Sequence, residues 1–212
     1  MIPKIIHVIW IGDESKRPDN CIQTWVEKNP SFYVHVWGNQ AFASKKWINA
    51  HHMREMFGKE LNGVADMMRY EILNTVGGLT IDADSFCVRG LEDWMLEPNE
   101  IICWENEIVR PGLLGCNLMG SVKGSTFFKA AVDFIQQKET VIDGAAWQTV
   151  GPKAITEVWN KTQHPITIYP SHFVCPNHFD APEYLNGGQV FCKQFWGSTF
   201  NSYDNIHQKE LI

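Results

Sequence analysis

The sequence predicts an α/β fold, a single domain built on a mixed, mainly parallel sheet flanked by helices. Three observations carry that expectation. The chain opens as strand, helix, strand, helix, the alternation of a doubly wound sheet. Its first strand is apolar at nearly every position, as a strand covered on both faces must be. Its 212 residues, 44% of them hydrophobic, suffice for one sizeable core and not clearly for two.

Lys4–Ile11 (KIIHVIWI) is the apolar, β-branched run, and it stops at Gly12-Asp13. Asp19 to Lys28 follows Pro18 with Ile22, Trp25 and Val26 at helical spacing, and Asn29-Pro30 ends it. Phe32–Trp37 reads as a second strand, and Asn39 to about Phe57 as broadly helical. Ala65–Val76 (ADMMRYEILNTV) is a run of good helix formers stopped by Gly77-Gly78, after which Leu79–Asp82 forms a short strand. Phe86–Val88 is a small extended piece; Ile101–Trp104 and Asn117–Ser121 read as strands, and Ser125–Lys138 as an amphipathic helix. Gly151-Pro152 opens a helix to about Trp159, with Pro at the first turn where its missing N–H costs nothing. Ile166–Tyr169 and Gln189–Phe195 are expected to close the sheet.

A formal net charge of −6 with scattered Lys and Arg excludes a nucleic-acid groove, which concentrates basic side chains against phosphates. Any phosphate bound by so acidic a chain needs another source of positive charge, and a metal ion supplies it. The six cysteines lie far apart with no C-x-x-C pair, so they read as reduced core thiols. No charged-then-apolar leader and no run near 20 apolar residues occurs, so the chain is expected to be soluble and cytoplasmic, with peripheral membrane attachment left open.

Asp82 and Asp84 straddle one residue at a strand end. In extended backbone both side chains point to the same side, so two carboxylates face one ion. Hard oxygen ligands suit Mg²⁺ or Mn²⁺, which also bridge the phosphates of a nucleoside diphosphate. D-x-D alone is a weak pattern that often marks nothing more than a solvated turn. Asp66 and Arg69, three apart on the preceding helix, share a face with Tyr70 close by. They read either as a polar pair for sugar hydroxyls or as a surface ion pair worth at most about 1 kcal/mol. Spacing alone favours the surface pair.

Taken together, Val64–Asp84 (VADMMRYEILNTVGGLTIDAD) resembles the D-x-D sugar-binding region of glycosyltransferase family 32, found in fungal α-1,6-mannosyltransferases and bacterial capsular polysaccharide transferases. Ile2–Gly12 (IPKIIHVIWIG) is similar to that family's first strand, and TVGP at Gly151-Pro152 to its later Gly-Pro segment. The resemblance implies a GT-A fold, a nucleotide-sugar donor (UDP- or GDP-linked), a glycan or other hydroxyl acceptor, and a divalent cation, Mn²⁺ or Mg²⁺. It also implies transfer of a hexose with retention of anomeric configuration. Within 1–212 it places the donor-binding part at about 1–121 and the acceptor side with a C-terminal metal loop at about 122–212.

Residue by residue, the resemblance implies that Ile9 and Trp10 meet the base, with Trp10 stacking on it. Asp66 and Arg69 hold the donor sugar beside Tyr70, Asn117, Gly151 and Pro152. Asp82 and Asp84 meet ribose, sugar and metal. Where the family commonly has His, then Trp two residues on, then Ser-Trp, this chain has Gln194, Trp196 and Thr199-Phe200. Gln194 can ligate a hard cation through its carbonyl oxygen but brings no charge, so either it or a water is expected as the third ligand. The stretches 105–115 and 177–188 are expected to wall the acceptor. Two rivals stand beside this reading: a binding module of the same fold without turnover, and a haloacid-dehalogenase-like phosphatase, whose Asp-x-Asp normally lies on the first strand.

Overall fold

Strand β1 (Ile5–Ile9) organises the molecule, whose computed structural model describes residues Met1–Leu211. Its side chains alternate between two apolar layers. Ile6 and Val8 join one, and Ile9 joins the other with Ile11 just beyond the strand. That two-sided burial is why the run is almost continuously apolar. Helix α1 (Asp19–Lys28) then crosses to β2 (Tyr33–Trp37), which pairs parallel with β1. Trp25 is fully buried on α1 and donates from Nε1 to the Ser85 carbonyl at 3.1 Å.

The segment expected to be one helix from Asn39 to about Phe57 is two, α2 (Asn39–Ser44) and α3 (Ala50–Phe57). The break is built by a side chain from elsewhere. The Glu71 carboxylate accepts the Ile48 and Asn49 backbone N–H groups at 2.7 and 2.8 Å, which satisfies the start of α3.

Helix α4 (Leu61–Thr75) is the central one, and every residue from Gly63 to Leu73 on it is buried. It packs on the sheet between α3 and α5 (Thr126–Gln136), so its sequence carries no clean polar face. Gly77 and Gly78, with φ of +79° and +102°, end it and turn the chain into β3 (Gly78–Ile81). A Cβ on Gly77 would stand 2.7 Å from the Lys123 nitrogen, so this turn has room for glycine alone.

β4 (Ser85–Cys87) leaves the main sheet, while β5 (Glu100–Asn106), β6 (Arg110–Ser121) and, after α5, α6 (Ala146–Thr149) and α7 (Pro152–Thr162), β7 (Thr167–Tyr169) complete it. The order is β2-β1-β3-β6-β5-β7, and β6 alone runs against the other strands. Gln189–Phe195 does not close this sheet. Its strand β8 (Cys192–Gln194) pairs antiparallel with β4 in a separate two-stranded sheet, which places Gln194 opposite Ser85. The short helices α8 (Gly197–Phe200) and α9 (Tyr203–Ile206) come after it. All six cysteines are free and buried, as composition suggested. No helix of the described residues is long and apolar enough to cross a membrane.

Candidate active site

The parallel strands end together, and the residues just beyond their ends meet in one cleft of about 810 Å³. Val8 pairs with Ile81, so Trp10 after β1 and Asp82 after β3 emerge side by side. Ile81 also pairs with Leu118 of antiparallel β6, which sets Asn117 beside Asp82. β5 runs the same way as β3 and delivers Glu105 to the same edge. Ligand clefts of open α/β sheets lie at this carboxyl edge for this reason.

Arg69 is the hub. It is 6% exposed and donates from Nη1 to Asp66 at 3.2 Å and to the Cys116 carbonyl at 3.1 Å, and from Nη2 to Asp82 at 2.5 Å. Burial alone would lower its pKa, but the charges of Asp82 and Asp66 outweigh that and hold it protonated. The surface ion pair favoured by spacing is therefore corrected: Asp66 and Arg69 are buried within the cleft wall. Helix periodicity could not reveal this, because the whole middle of α4 is inside the protein.

Burial pushes the Asp66 carboxyl up to about 7, with Arg69 opposing and Asp82 and Glu105 adding to the rise. Asp84 is pushed up to about 6 by burial and by Asp82, while the Gly197 N–H opposes, donating to its Oδ2 at 2.6 Å. Glu105 reaches about 7, again chiefly through burial, with Arg110 opposing. A cleft that gathers acids it cannot fully neutralise suits a cationic ligand.

The donor set fits a hard divalent cation. Asp82 spends Oδ1 on Arg69, while its Oδ2 makes no hydrogen bond within the described residues. Gln194 is buried at the cleft wall and points its Nε2 at the Val174 carbonyl, 3.5 Å away, which leaves the amide oxygen available to a cation. Asn117 is 6% exposed and lines the cleft, and its Oδ1 has no hydrogen-bond partner among the described residues. An orphaned buried acceptor beside Asp82 is a place for a ligand hydroxyl.

Of the other residues singled out in the sequence, Ile9, Trp10 and Pro152 line the cleft. Trp10 is only 9% exposed, donates to the Asp13 carbonyl at 3.0 Å and meets Tyr203 edge-on at 5.0 Å. Tyr70 and Gly151 are not brought to the cleft surface. The Tyr70 hydroxyl donates to the Val150 carbonyl at 3.0 Å from a fully buried position, so it ties α4 to the segment before α7. Gly151 stands directly behind Asp66, where a Cβ would meet Asp66 Oδ2 at 2.8 Å and Trp147 Cα at 2.9 Å. Gly151→Ala is expected to cost about 1–3 kcal/mol of stability through overpacking. It should also weaken nucleotide-sugar binding by shifting Asp66, and thermal melts with and without donor will check both effects.

Trp147 and Tyr203 line the cleft and were not singled out from sequence, whereas Glu105 opens the stretch 105–115 expected to wall the acceptor and Trp196 belongs to the C-terminal segment read beside Gln194. Glu105 had a usable signal, because it directly follows the apolar run Ile101–Trp104 just as Asp82 follows Leu79–Ile81. Trp147 and Tyr203 arrive from remote segments whose placement only the folded chain decides.

This architecture, with acids at the carboxyl edge of a mixed sheet, is the GT-A fold of glycosyltransferases. Comparison with known proteins agrees. Residues 15–101 match the family model of the glycosyltransferase sugar-binding region containing the DXD motif. The chain is similar, at 25% identity over 123 residues, to the subversion of eukaryotic traffic protein A of Legionella pneumophila, covering 46% of this chain and 19% of that protein. Among solved structures it is similar to the PaToxG glycosyltransferase, with a TM-score of 0.59, 17% identity, and coverage of 76% of this chain and 70% of that one. A glycosyltransferase involved in glycosylating the major capsid of PBCV-1 gives a TM-score of 0.57 at 10% identity, covering 97% and 98% of the two chains. The ligand-free glycosyltransferase domain of the YGT toxin gives 0.57 at 10%, covering 100% and 87%. At these identities the structural likenesses establish the fold.

Proposed function

We infer that this chain is a glycosyltransferase that moves a hexose from a UDP- or GDP-linked donor to a hydroxyl acceptor, retains anomeric configuration and belongs with family 32. The observation that carries the reading is the convergence of Asp66, Arg69, Asp82, Asp84, Asn117 and Gln194 on one cleft. A solvated acidic turn would not bury an arginine between two of those acids.

In this reading Trp10 and Ile9 contact the base, Asp66 and Arg69 orient the donor sugar, and the orphaned Asn117 oxygen accepts a sugar hydroxyl. Asp82, Asp84 and Gln194 would hold Mn²⁺ or Mg²⁺. When bound, such a cation neutralises the diphosphate and stabilises the charge that builds on the departing group. Arg69 holds Asp82 in a fixed direction through its Nη2 contact to Oδ1, which costs no reorganisation during transfer. Retention by same-face attack needs no enzyme nucleophile, whereas a covalent path would require a carboxylate at the anomeric carbon. Asp13, Glu60 and Glu105 are cleft acids not assigned to the donor, and a glycosylated carboxylate found among them by mass spectrometry would overturn same-face attack.

A binding module without turnover has one observation in its favour: Gln194 offers a neutral, non-titrating ligand in the loop where the resemblance expects histidine. A panel of UDP- and GDP-linked sugars with Mn²⁺ separates the two, read by thermal shift and by release of free nucleotide. A donor that both raises the melting temperature and releases nucleotide is the expected result. A shift without release favours the module, and no shift with any donor contradicts the proposed function.

A further inference from the structure

One stretch of the cleft wall is left unused by the donor reading. Arg110, at the start of β6, lies between two half-exposed rings, with its guanidinium 5.9 Å from the Trp147 ring centre and 5.8 Å from that of Phe179. Glu105 stands in the same wall, half-buried, with His178 Nε2 3.5 Å from its Oε1. His178 stacks on Phe179 at 4.5 Å, and Trp196 meets both rings edge-on at 5.2 and 4.9 Å, so Phe179 is held within an aromatic cluster.

We propose that Glu105, Arg110, Trp147 and Phe179 form an acceptor subsite for a sugar ring, so that the acceptor is a glycan. The proposal rests on the glycosyltransferase reading and extends it to the acceptor class. A pyranose presents C–H edges on one face and hydroxyls around its rim. Flat aromatic faces suit the first, and a carboxylate with a planar guanidinium suits paired hydroxyls. The wall carries both kinds of group.

Its position is the one an acceptor needs, since β5 brings Glu105 to the same strand-end edge of the cleft as Asp82. A folded protein acceptor would need a broad docking face of about 800 Å² on each partner. The large apolar residues exposed elsewhere, among them Tyr33, Ile48, Trp94 and Ile142, do not line the cleft, whereas Trp147 and Phe179 do. The exposed aromatic surface at the site is therefore recessed, on the scale of a small ligand.

The test uses the full chain with a nucleotide-sugar and Mn²⁺, reading nucleotide release alone and transfer to two acceptor sets. One set is simple mono- and disaccharide glycosides, the other Ser-, Thr- and Tyr-containing peptides and a folded protein. Transfer to a glycoside and not to the peptides or protein is expected. Trp147→Ala should raise the KM for that glycoside about tenfold, the loss of one stacking contact, and Trp147→Tyr should restore most of it. Glu105→Gln should lower the ratio of transfer to hydrolysis. Transfer to peptide or protein only, or an unchanged glycoside KM in Trp147→Ala, would overturn the subsite. Nucleotide release with no glycoside accepting overturns the subsite and leaves the transferase standing. The absence of both release and transfer with every donor overturns the two together.

Discussion

Asp84→Asn is expected to lower sugar transfer by about a thousandfold, equivalent to roughly 4 kcal/mol of transition-state stabilisation, while the protein remains folded. The amide is isosteric with the carboxyl, and its oxygen still accepts the Gly197 N–H that Asp84 Oδ2 takes at 2.6 Å. What the amide cannot supply is charge to a cation. The same substitution at Asp82 is less clean, because it also removes the partner of Arg69 at 2.5 Å. Nucleotide release and a thermal melt on the purified Asp84→Asn variant check both halves of the expectation.

Arg69→Ala is expected to be the most destabilising single change in the cleft, at about 3 kcal/mol, because it strips a buried partner from two acids at once. The cost should depend on pH, and the sign comes from Asp66. Its folded pKa of about 7 lies above the unfolded value. The stability gained by protonating it is full below about pH 4 and is lost as the pH rises through about 7. Without Arg69 that rise is larger, so the variant should be relatively tolerable at pH 6 and markedly less stable at pH 8. Arg69→Lys retains the charge but not the fork that reaches Asp66, Asp82 and the Cys116 carbonyl. It should rescue stability more than activity. Denaturant melts at the two pH values test the sign directly.

These expectations draw on both what the sequence displays and what it hides. Helix α1 is legible at both ends, because Pro18 and Asn29-Pro30 are local signals that act on the backbone itself. The turn from α4 into β3 is legible for the same reason, as two glycines take up positive φ there. Burial of Asp66 and Arg69 is not legible, since a helix covered all round has no periodic polar face to read. Likewise the segment Gln189–Phe195, with Val190, Phe191, Cys192 and Phe195, reads as a sheet strand, yet sequence gives no measure of which edge its strand β8 will join. It joins β4, and that pairing carries Gln194 to the cleft. Tyr70 shows the converse limit: it belongs to the helix motif in sequence but serves the packing behind it.

Binding of a nucleoside diphosphate by Asp82 and Asp84 through a divalent cation is the step on which the proposed chemistry depends. Calorimetric titration of UDP and GDP into metal-free protein, with and without Mn²⁺, addresses it most directly. One of the two nucleotides should bind at least about tenfold more tightly with Mn²⁺, a gain of about 1.4 kcal/mol, and Asp84→Asn should abolish this gain. Binding indifferent to both Mn²⁺ and Asp84, or no binding of either nucleotide, would contradict it.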